Sequence, residues 1–425
     1  MTEPLRFSAL GERAQPPTIA HLMALALENP HLLSIAAGFT DSHTLPVTEV
    51  GKAVRTLAET AGDPEYLQYG TNQGRAGLRR VLAERLQRWE RDSIFANDAD
   101  AKSLAEKMVI TNGSQQLLYL AMQVLCDPGD IILVDRPSYF VFLEMLAGLG
   151  LRAVSMPTDA DGIIDALAFS QLLDDLASRG EAKRIKAVYF VSYFSNPSGR
   201  SLTTNEKNEL ARILKQKNLI LPVIEDAAYR ELYFEKPNTT PSVLGLTAWD
   251  DFPKLYTSTL TKPFASGLKI GFGFCTEKAW LDKMLHAKGH HDFGSAHFNQ
   301  AICETVLANG DFDRQLIKVR KAYLEKGYSL SGVLQRGGLK ELGWSWEQPQ
   351  GGLYLWLRAP DKLDLGLNGE FCRACIKEGV LYVPGDLCFG DFPAKDTARL
   401  SFGVLSPDKL AIAAERFCHV AHQFH

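Results

Sequence analysis

The most constraining feature of this sequence is the alternation of apolar, strand-like runs with helical stretches, which begins near residue 105. Seven runs have the length and composition of buried strands: Met108–Thr111, Ile131–Asp135, Arg152–Met156, Ala187–Val191, Leu219–Asp226, Lys254–Thr259 and Lys269–Cys275. Helical patterns separate most of them, at Gln115–Leu125, Tyr139–Leu149, Ala166–Ala177 and Asn205–Lys217. Because strands that alternate with helices form a largely parallel sheet covered on both faces, we predict an α/β fold with a mostly parallel seven-stranded sheet. Functional side chains then gather beyond the carboxyl ends of the strands.

The pattern changes near residue 297 and predicts a second, smaller α+β domain. A long helix is predicted over roughly His297–Leu334, and three shorter strands follow at Gly352–Arg358, Val380–Val383 and Ala398–Phe402. We therefore divide the chain into three parts. Residues 1–46 form an N-terminal arm and part of the small domain, residues 47–297 the large domain, and residues 298–425 the small C-terminal domain.

Composition and charge exclude several classes of protein. The formal net charge of −4 gives no electrostatic reason to expect nucleic acid or an anionic membrane as a partner. No run of about eighteen apolar residues occurs, so we expect no membrane span. The seven cysteines are odd in number and scattered through apolar segments, which is typical of reduced thiols in a cytoplasmic protein. Cys372 and Cys375 form a lone Cys-x-x-Cys without a second pair, so no metal site is predicted.

One lysine stands in an unusual setting, the segment Tyr256–Gly273. A β-branched, hydroxyl-rich run containing Thr259 and Thr261 leads into Lys262, and a Pro-Phe-Ala-Ser-Gly turn separates Lys262 from a second cation, Lys269. Hydroxyls beside a lysine, with a second cation nearby, suit a phosphate that lies close to a reactive carbonyl. A lysine in a desolvated pocket loses its proton easily and forms a Schiff base with such a carbonyl.

Other polar signals follow the predicted strands. Gly113, Ser114 and Gln115 lie between a strand and a helix, where backbone N–H groups at the helix N-terminus would hold a phosphate dianion. Tyr139 follows another strand, and an aromatic side chain there would stack on a ligand ring. Each signal is weak when taken alone.

Asp226 ends a buried apolar strand, where a carboxylate is costly unless it meets a cation such as a protonated ring nitrogen. Tyr229 follows it and would donate to a ring oxygen, and Asn196 lies in a turn where its amide would reach a ring hydroxyl. Near the C-terminus, Arg399 stands within an apolar strand. Its planar fork matches a carboxylate, so Arg399 is our candidate for holding a substrate carboxylate.

From about Leu33 to the end, these signals occur in the order seen in one enzyme family. The segments that carry the likeness are Gly113-Ser114-Gln115-Gln116, Pro137-Ser138-Tyr139, Asn196-Pro197-Ser198-Gly199, Glu225-Asp226-x-x-Tyr229, Thr261-Lys262, Gly351–Leu357, Val383-Pro384-Gly385 and Arg399–Phe402. Together they resemble the class I/II aminotransferases, which are pyridoxal-phosphate-dependent transferases of fold type I. The chain is most similar to the branch that contains 2-aminoadipate, kynurenine and aromatic aminotransferases.

The resemblance implies a role for each site residue. It implies pyridoxal 5'-phosphate as the cofactor, with Lys262, Asp226 and Tyr229 as catalytic residues. The residues that it implies for cofactor binding are Tyr69, Gly113, Ser114, Gln115, Tyr139, Asn196, Asp226, Tyr229, Thr259, Thr261, Lys262 and Lys269. Arg399, Gly38 and Asn196 are implied for substrate binding. The resemblance also implies a homodimer in which Tyr69 enters the partner's site.

The chain departs from the family pattern at three places: Lys269, the segment Ala37–Thr40, and Ser192-Tyr193-Phe194-Ser195, which replaces a proline-containing lead into Asn196. Lys269 stands where arginine is usual, so the charge is kept and the bidentate fork is lost. The segment Ala37–Thr40 replaces a Gly-Gly-x-Pro segment that lines the substrate pocket in relatives. No cluster of arginine or lysine marks a pocket for a second carboxylate near the N-terminus, which favours a substrate with an apolar or aromatic side chain.

Two functions fit these residues, and the first of them is the leading hypothesis. The first is transfer of an amino group from an L-amino acid to a 2-oxo acid by a ping-pong mechanism. The second keeps the cofactor but uses the same carbanion for elimination, replacement or decarboxylation. A transcription regulator with an aminotransferase-like ligand domain is disfavoured, because only about forty residues precede the matching region and the net charge is negative. A nicotinamide enzyme is disfavoured because Gly-x-Gly-x-x-Gly is missing after the first strand.

Overall fold

The computed structural model of the chain describes residues 5–29, 31–60, 64–90, 101–360 and 363–425. Its strands are β1 (Leu33–Ser34), β2 (Met108–Asn112), β3 (Ile131–Val134), β4 (Arg152–Ser155), β5 (Ile185–Val191), β6 (Val223–Asp226), β7 (Lys254–Thr259), β8 (Ile270–Cys275), β9 (Tyr354–Arg358), β10 (Val380–Leu381), β11 (Val383–Pro384) and β12 (Thr397–Ser401). Its α-helices are Ala9–Arg13, Thr18–Glu28, Val47–Thr60, Ala76–Trp89, Ala101–Glu106, Ser114–Leu125, Phe140–Leu149, Ala166–Ser178, Thr204–Gln216, Lys278–His291, His297–Ala308, Asp311–Arg336, Glu370–Glu378 and Pro407–Gln423.

Seven strands form the central sheet, in the order β2-β8-β7-β6-β5-β3-β4. All run parallel except β8, which is antiparallel to both of its neighbours. The residues of β6 and β8 are all buried, as expected for strands that are covered by helices on both faces. The structure thus confirms the α/β fold with a mostly parallel seven-stranded sheet.

Local sequence signals fix the ends of several helices. The helix Thr204–Gln216 begins after Thr203, whose hydroxyl accepts the backbone N–H of Glu206 while the Glu206 carboxylate accepts the N–H of Thr203. This reciprocal capping box satisfies backbone groups that the first turn leaves without partners. The helix Phe140–Leu149 ends at Gly150, which adopts a left-handed conformation.

Three predicted elements differ from the observed ones. The predicted helix over residues 297–334 is two helices, because Gly310 takes a φ of 77° between them. The predicted strand Leu219–Asp226 begins only at Val223, directly after Pro222, which has no N–H for a strand ladder. The predicted strand Val380–Val383 divides into β10 and β11, which pair in different sheets. The sequence also predicts an amphipathic helix over residues 74–92; the structure forms it over Ala76–Trp89, and residues 91 and 92 lie outside the described residues.

A second sheet, in the order β11-β12-β9, is antiparallel. The short strand β1 pairs in parallel with β10, so the segment near residue 33 joins the C-terminal part of the chain. The division into an arm, a large domain and a small domain stays our interpretation of this arrangement. Within the described ranges, no helix is long and apolar enough to cross a bilayer.

Candidate active site

Lys262 lies in the loop between β7 and β8, at the carboxyl edge of the parallel strands. Its amine Nζ donates to the carbonyl oxygen of Gly38 at 2.8 Å. Burial lowers the pKa of Lys262, the positive charges of Arg399 and Lys269 lower it further, and Tyr354 opposes them. A lysine with a lowered pKa holds more of its neutral form, which is the nucleophile that attacks a carbonyl.

The two threonines before Lys262 have different partners. The Thr259 hydroxyl donates to the carbonyl of Ile270 at 3.1 Å and accepts the N–H of Thr261 at 3.1 Å, so it ties the loop together. The Thr261 hydroxyl is buried and has no hydrogen-bond partner in the described part of the chain. Because a buried hydroxyl without a partner is costly, Thr261 is the better candidate for contact with a ligand.

The turn that contains Gly113 and Ser114 packs against β8, the strand that follows the Lys262 loop. Ser114 begins the helix Ser114–Leu125, and its N-terminus provides backbone N–H groups and a positive partial charge. The backbone of Gly271 in β8 packs so closely on this turn that a Cβ atom there would overlap Gly113 and Ser114. Gln115 is exposed, as is Lys269, which adopts a left-handed backbone with a φ of 57°.

Asp226 ends β6, as predicted, and is buried. Its carboxylate accepts the Tyr189 hydroxyl at 3.2 Å and the backbone N–H of Ala228 at 3.0 Å. Burial raises the pKa of Asp226 to about 6, and these two hydrogen bonds oppose the rise, while the charge of Glu225 adds to it. No cation is among the groups that act on this pKa within the described residues. A cationic ring nitrogen would therefore be a favourable partner for Asp226.

Arg399, which the sequence singles out, is 1% exposed and meets Asn196. Its Nη1 donates to the Asn196 side-chain oxygen at 2.8 Å, and its Nη2 donates to the carbonyl of Ala36 at 2.6 Å. The third nitrogen, Nε, is buried without a partner among the described residues, as is the hydroxyl of the neighbouring Ser195. These free donors suit a carboxylate.

Tyr354, at the start of β9, is a site residue that sequence reasoning missed. Its hydroxyl lies 3.3 Å from the hydroxyl of Tyr229, and the two rings meet edge to face. The guanidinium carbon of Arg399 lies 4.4 Å from the centre of the Tyr354 ring. The signal that could have found it is a tyrosine at the first strand position after Gly351-Gly352, in a segment that already carries the family resemblance.

Of the two remaining aromatic candidates, one lies in this group of residues and one lies apart. Tyr139 precedes the helix Phe140–Leu149, and its pKa is raised mainly by burial and further by Tyr354 and Asp226. Tyr69, in contrast, is 79% exposed and contacts Phe293 edge to face at 5.7 Å between ring centres. Within one chain, Tyr69 is thus a surface residue.

Taken together, these groups describe the chemistry of a ligand. A nucleophilic amine, a helix N-terminus with a free hydroxyl, and a buried carboxylate suit a carbonyl, a phosphate and a cationic ring nitrogen respectively. Pyridoxal phosphate carries all three. A bound pyridoxal phosphate would give the Thr261 hydroxyl a hydrogen-bond acceptor and Asp226 a cation. Among the described residues, the Thr261 hydroxyl has no partner and no cation acts on Asp226, so both residues fit this ligand.

Comparisons with known proteins agree with this chemistry. The family model "Aminotransferase class I and II" matches residues 31–417. The aromatic-amino-acid aminotransferase 1 of Thermococcus litoralis is 30% identical over 410 residues, which are 96% of this chain and 91% of the relative. The kynurenine aminotransferase of Pyrococcus horikoshii, solved in complex with PMP, superposes with a TM-score of 0.84 at 25% identity and covers 98% of this chain and 97% of its own.

The α-aminoadipate aminotransferase LysN of Thermus thermophilus, solved with N-(5'-phosphopyridoxyl)-L-leucine, gives a TM-score of 0.80 at 28% identity. The superposition covers 98% of this chain and 97% of LysN. Of the two functions that the sequence left open, these comparisons confirm amino-group transfer. The chain therefore belongs to the class I and II aminotransferases of fold type I, with pyridoxal phosphate as its cofactor.

Proposed function

We propose that this aminotransferase, which moves an amino group from an L-amino acid to a 2-oxo acid by a ping-pong mechanism, acts on substrates with apolar or aromatic side chains. The observation that carries the proposal is that two cations act on Lys262. Arg399 and Lys269 are the cations that lower the pKa of Lys262. If Arg399 binds the α-carboxylate and Lys269 the cofactor phosphate, neither of these two cations is left for an acidic side chain. The relative named for aromatic amino acids supports the same substrate class.

Lys262 is the proposed catalytic base. When bound, pyridoxal phosphate supplies an electron sink for the carbanion that forms when the substrate loses its α-proton. The lowered pKa keeps more of Nζ in its neutral form, which can accept that proton and donate it again in the next step of the transfer. The carbonyl of Gly38, 2.8 Å away, holds Nζ in place by accepting a hydrogen bond from it.

Asp226 and Tyr229 are proposed to control the charge of the cofactor ring. The Asp226 carboxylate would hold the proton on the ring nitrogen, since an opposite charge lowers the raised pKa of the carboxyl and favours its ionised form. Tyr229 would donate its hydroxyl proton to the ring oxygen, beside the amide of Asn196. Tyr139 would cover one face of the ring.

The phosphate would lie at the turn between β2 and the helix Ser114–Leu125. There the backbone N–H groups of Gly113, Ser114 and Gln115, with the Thr261 hydroxyl, would donate to its oxygens. Lys269 would add a positive charge from solvent-exposed surface. Thr259 would act through Thr261, because its own hydroxyl is bonded within the loop.

Arg399 and Asn196 would bind the substrate carboxylate, with Gly38 leaving room beside them. The free Nε of Arg399 would donate to one oxygen of the carboxylate. Its Nη2, which now donates to the Ala36 carbonyl, would donate to the other carboxylate oxygen instead. A carboxylate is the stronger acceptor, since a charge-assisted hydrogen bond is about twice as strong as a neutral one.

We also propose that the enzyme is a homodimer in which Tyr69 reaches the partner's cofactor phosphate. The support is the family resemblance together with an exposed aromatic pair, Tyr69 and Phe293, which are 79% and 65% exposed. A cytoplasmic location is proposed on the seven free cysteines, which suit a reducing compartment.

Two experiments test these proposals. Borohydride reduction of the enzyme loaded with pyridoxal phosphate, followed by peptide mapping, is expected to place the pyridoxyl group on Lys262; a label elsewhere would overturn its role. Single-turnover mixing with phenylalanine, leucine, aspartate and 2-aminoadipate, followed by cofactor absorbance, is expected to give faster half-reactions with the first two. Faster reaction with an acidic donor would overturn the substrate class.

A further inference from the structure

We propose that Tyr354 is a positioning residue of the transfer reaction, with a separate task for each end of its side chain. Its hydroxyl orients the phenol of Tyr229 toward the cofactor ring oxygen, and its ring holds the guanidinium plane of Arg399. The inference rests on the proposed roles of Tyr229 and Arg399 and assigns a task to a third residue that joins them.

The hydroxyl end of Tyr354 lies beside two groups, the Tyr229 hydroxyl and Gly38. The Tyr229 hydroxyl is 3.3 Å away, within hydrogen-bond distance. An added Cβ on Gly38 would lie 2.5 Å from the Tyr354 hydroxyl oxygen, so the hydroxyl fills the space that any larger residue at position 38 would need. Lys262 donates to the carbonyl of this same glycine. The Tyr354 hydroxyl thus lies between the phenol proposed to bind the cofactor and the backbone that holds the catalytic amine.

This contact has a consequence for the proton on Tyr229. If Tyr354 donates its own proton to the Tyr229 oxygen, the Tyr229 proton is left to point at the ring oxygen of the cofactor. A phenol that also accepts a hydrogen bond is a stronger donor, because neighbouring hydrogen bonds polarise one another. Donation to the ring oxygen favours the form in which that oxygen carries more negative charge, which is the deprotonated form.

The ring end of Tyr354 has a different neighbour. The guanidinium carbon of Arg399 lies 4.4 Å from the centre of the Tyr354 ring and 5.3 Å from the centre of the Phe140 ring. The strand register also favours this contact. Tyr354 of β9 pairs with Ser401 of β12, and Arg399 lies two residues away from Ser401 on the same strand. The two aromatic rings fix the plane in which the unpartnered Nε of Arg399 is presented.

The test separates the two ends of the side chain with two variants. Tyr354→Phe removes the hydroxyl and keeps the ring, whereas Tyr354→Leu removes both. Tyr382→Phe is the matched control, since Tyr382 is also a buried phenol but its hydroxyl donates to the carbonyl of Leu365 at 2.8 Å, away from these groups. Each protein is loaded with pyridoxal phosphate, and two quantities are measured: the pH midpoint of the visible absorbance band, and the dissociation constant of 3-phenylpropionate, a carboxylate that cannot react.

Tyr354→Phe is expected to raise the pH midpoint by about 0.5 to 1 unit, the size of one net hydrogen bond, with the dissociation constant of 3-phenylpropionate unchanged. Tyr354→Leu is expected to raise the midpoint equally and to weaken 3-phenylpropionate binding about threefold to thirtyfold, as the loss of one cation–π contact implies. Tyr382→Phe is expected to change neither quantity.

A midpoint in Tyr354→Phe equal to that of the wild type would overturn the task of the hydroxyl. Unchanged binding of 3-phenylpropionate in Tyr354→Leu would overturn the task of the ring. If the wild type itself showed no visible band after loading, the proposed role of Lys262 would fail, and this inference with it. The band of the wild type therefore separates the two failures.

Discussion

Lys262 and Gly38, far apart in the sequence, meet in a hydrogen bond of 2.8 Å from the lysine amine to the glycine carbonyl. The amine proposed as the catalytic base is thus held by a backbone segment that also supplies the Ala36 carbonyl to Arg399. The segment around residues 36–38 therefore contacts both Lys262 and Arg399, the residue proposed to bind the substrate carboxylate. Its geometry gives the first prediction.

Gly38→Ala is expected to destabilise the protein, because the added Cβ would lie 2.5 Å from the Tyr354 hydroxyl oxygen. Overpacking of this kind costs about 1–3 kcal/mol. In urea unfolding, the double variant Gly38→Ala/Tyr354→Phe is expected to recover part of that loss, since it lacks the clashing oxygen. Gly51→Ala is the control. Nothing lies within 4 Å of a Cβ at that position in the helix Val47–Thr60, so alanine there is expected to be neutral or stabilising. Equal losses in the single and double variants would contradict the clash.

Arg399→Ala is expected to weaken binding of every amino and oxo acid about tenfold to a hundredfold, the range of a lost charge-assisted hydrogen bond. Arg399→Lys is expected to recover only part of this loss, because an ammonium group cannot reproduce the two-point fork. Half-reaction titrations followed by cofactor absorbance measure both constants. Arg212→Ala, which removes a half-exposed arginine paired with Glu209, is the control. Unchanged dissociation constants in Arg399→Ala would show that the guanidinium is structural.

Asp226→Asn is expected to stabilise the cofactor-free protein near neutral pH. The pKa of Asp226 is raised from 3.8 to about 6, so the folded state holds this proton more tightly than the unfolded state does. Stability therefore falls as the pH rises from about 4 to about 6 and then stays level. The ionised carboxylate costs on the order of 3 kcal/mol above that window, and asparagine avoids this cost.

Urea unfolding of both cofactor-free proteins near pH 4 and near pH 7.5 measures this difference. The variant is expected to be more stable than the wild type near pH 7.5, and the gap should shrink near pH 4. Saturating pyridoxal phosphate is expected to reverse the order near pH 7.5, because a cationic ring nitrogen makes the carboxylate favourable. A gap that does not depend on pH would contradict a titrating Asp226.

Tyr69→Ala and Lys262→Ala are each expected to lose most activity alone and to regain activity when mixed. In a hybrid dimer, one site would take Lys262 from the first variant and Tyr69 from the second, and would be intact. Random exchange of subunits makes half of the dimers hybrids with one working site each, so about a quarter of wild-type activity is expected. Unfolding and refolding the mixture, then assaying it beside the separately refolded variants, measures this. A mixture no more active than its parts would place Tyr69 in the site of its own chain, or outside both sites.

The sequence predicts the fold well because its signals are local. Several of the seven strands are apolar runs with polar neighbours, such as β3 between Asp130 and Asp135, and Asp226 stands at the end of β6 as predicted. The reversed direction of β8 is not visible in such runs, because it depends on a hairpin rather than a helical crossover after β7. The break at Gly310 was missed because apolar spacing continues on both sides of it.

The site was harder to predict, because three-dimensional neighbours decide which polar groups are free. Thr259 and Thr261 look equivalent in the sequence, yet only the Thr261 hydroxyl lacks a partner in the described structure. In the sequence, nothing distinguishes Tyr354 from the other residues of its strand. In the structure, it lies between Tyr229 and Arg399. The proposed role of Tyr69 depends on contacts with a second chain, which local sequence signals do not encode.

The antiparallel direction of β8 also bears on the order in which the site assembles during folding. The loop that carries Lys262 closes between β7 and β8, neighbours in sequence, so its formation costs little loop-closure entropy. The turn at Gly113 and Ser114, which is proposed to bind the phosphate, needs β2 to pair with β8 across a long stretch of intervening chain. Contacts between distant segments form late. The loop that carries Lys262 is therefore expected to exist as a local hairpin before the helix Ser114–Leu125 docks against it.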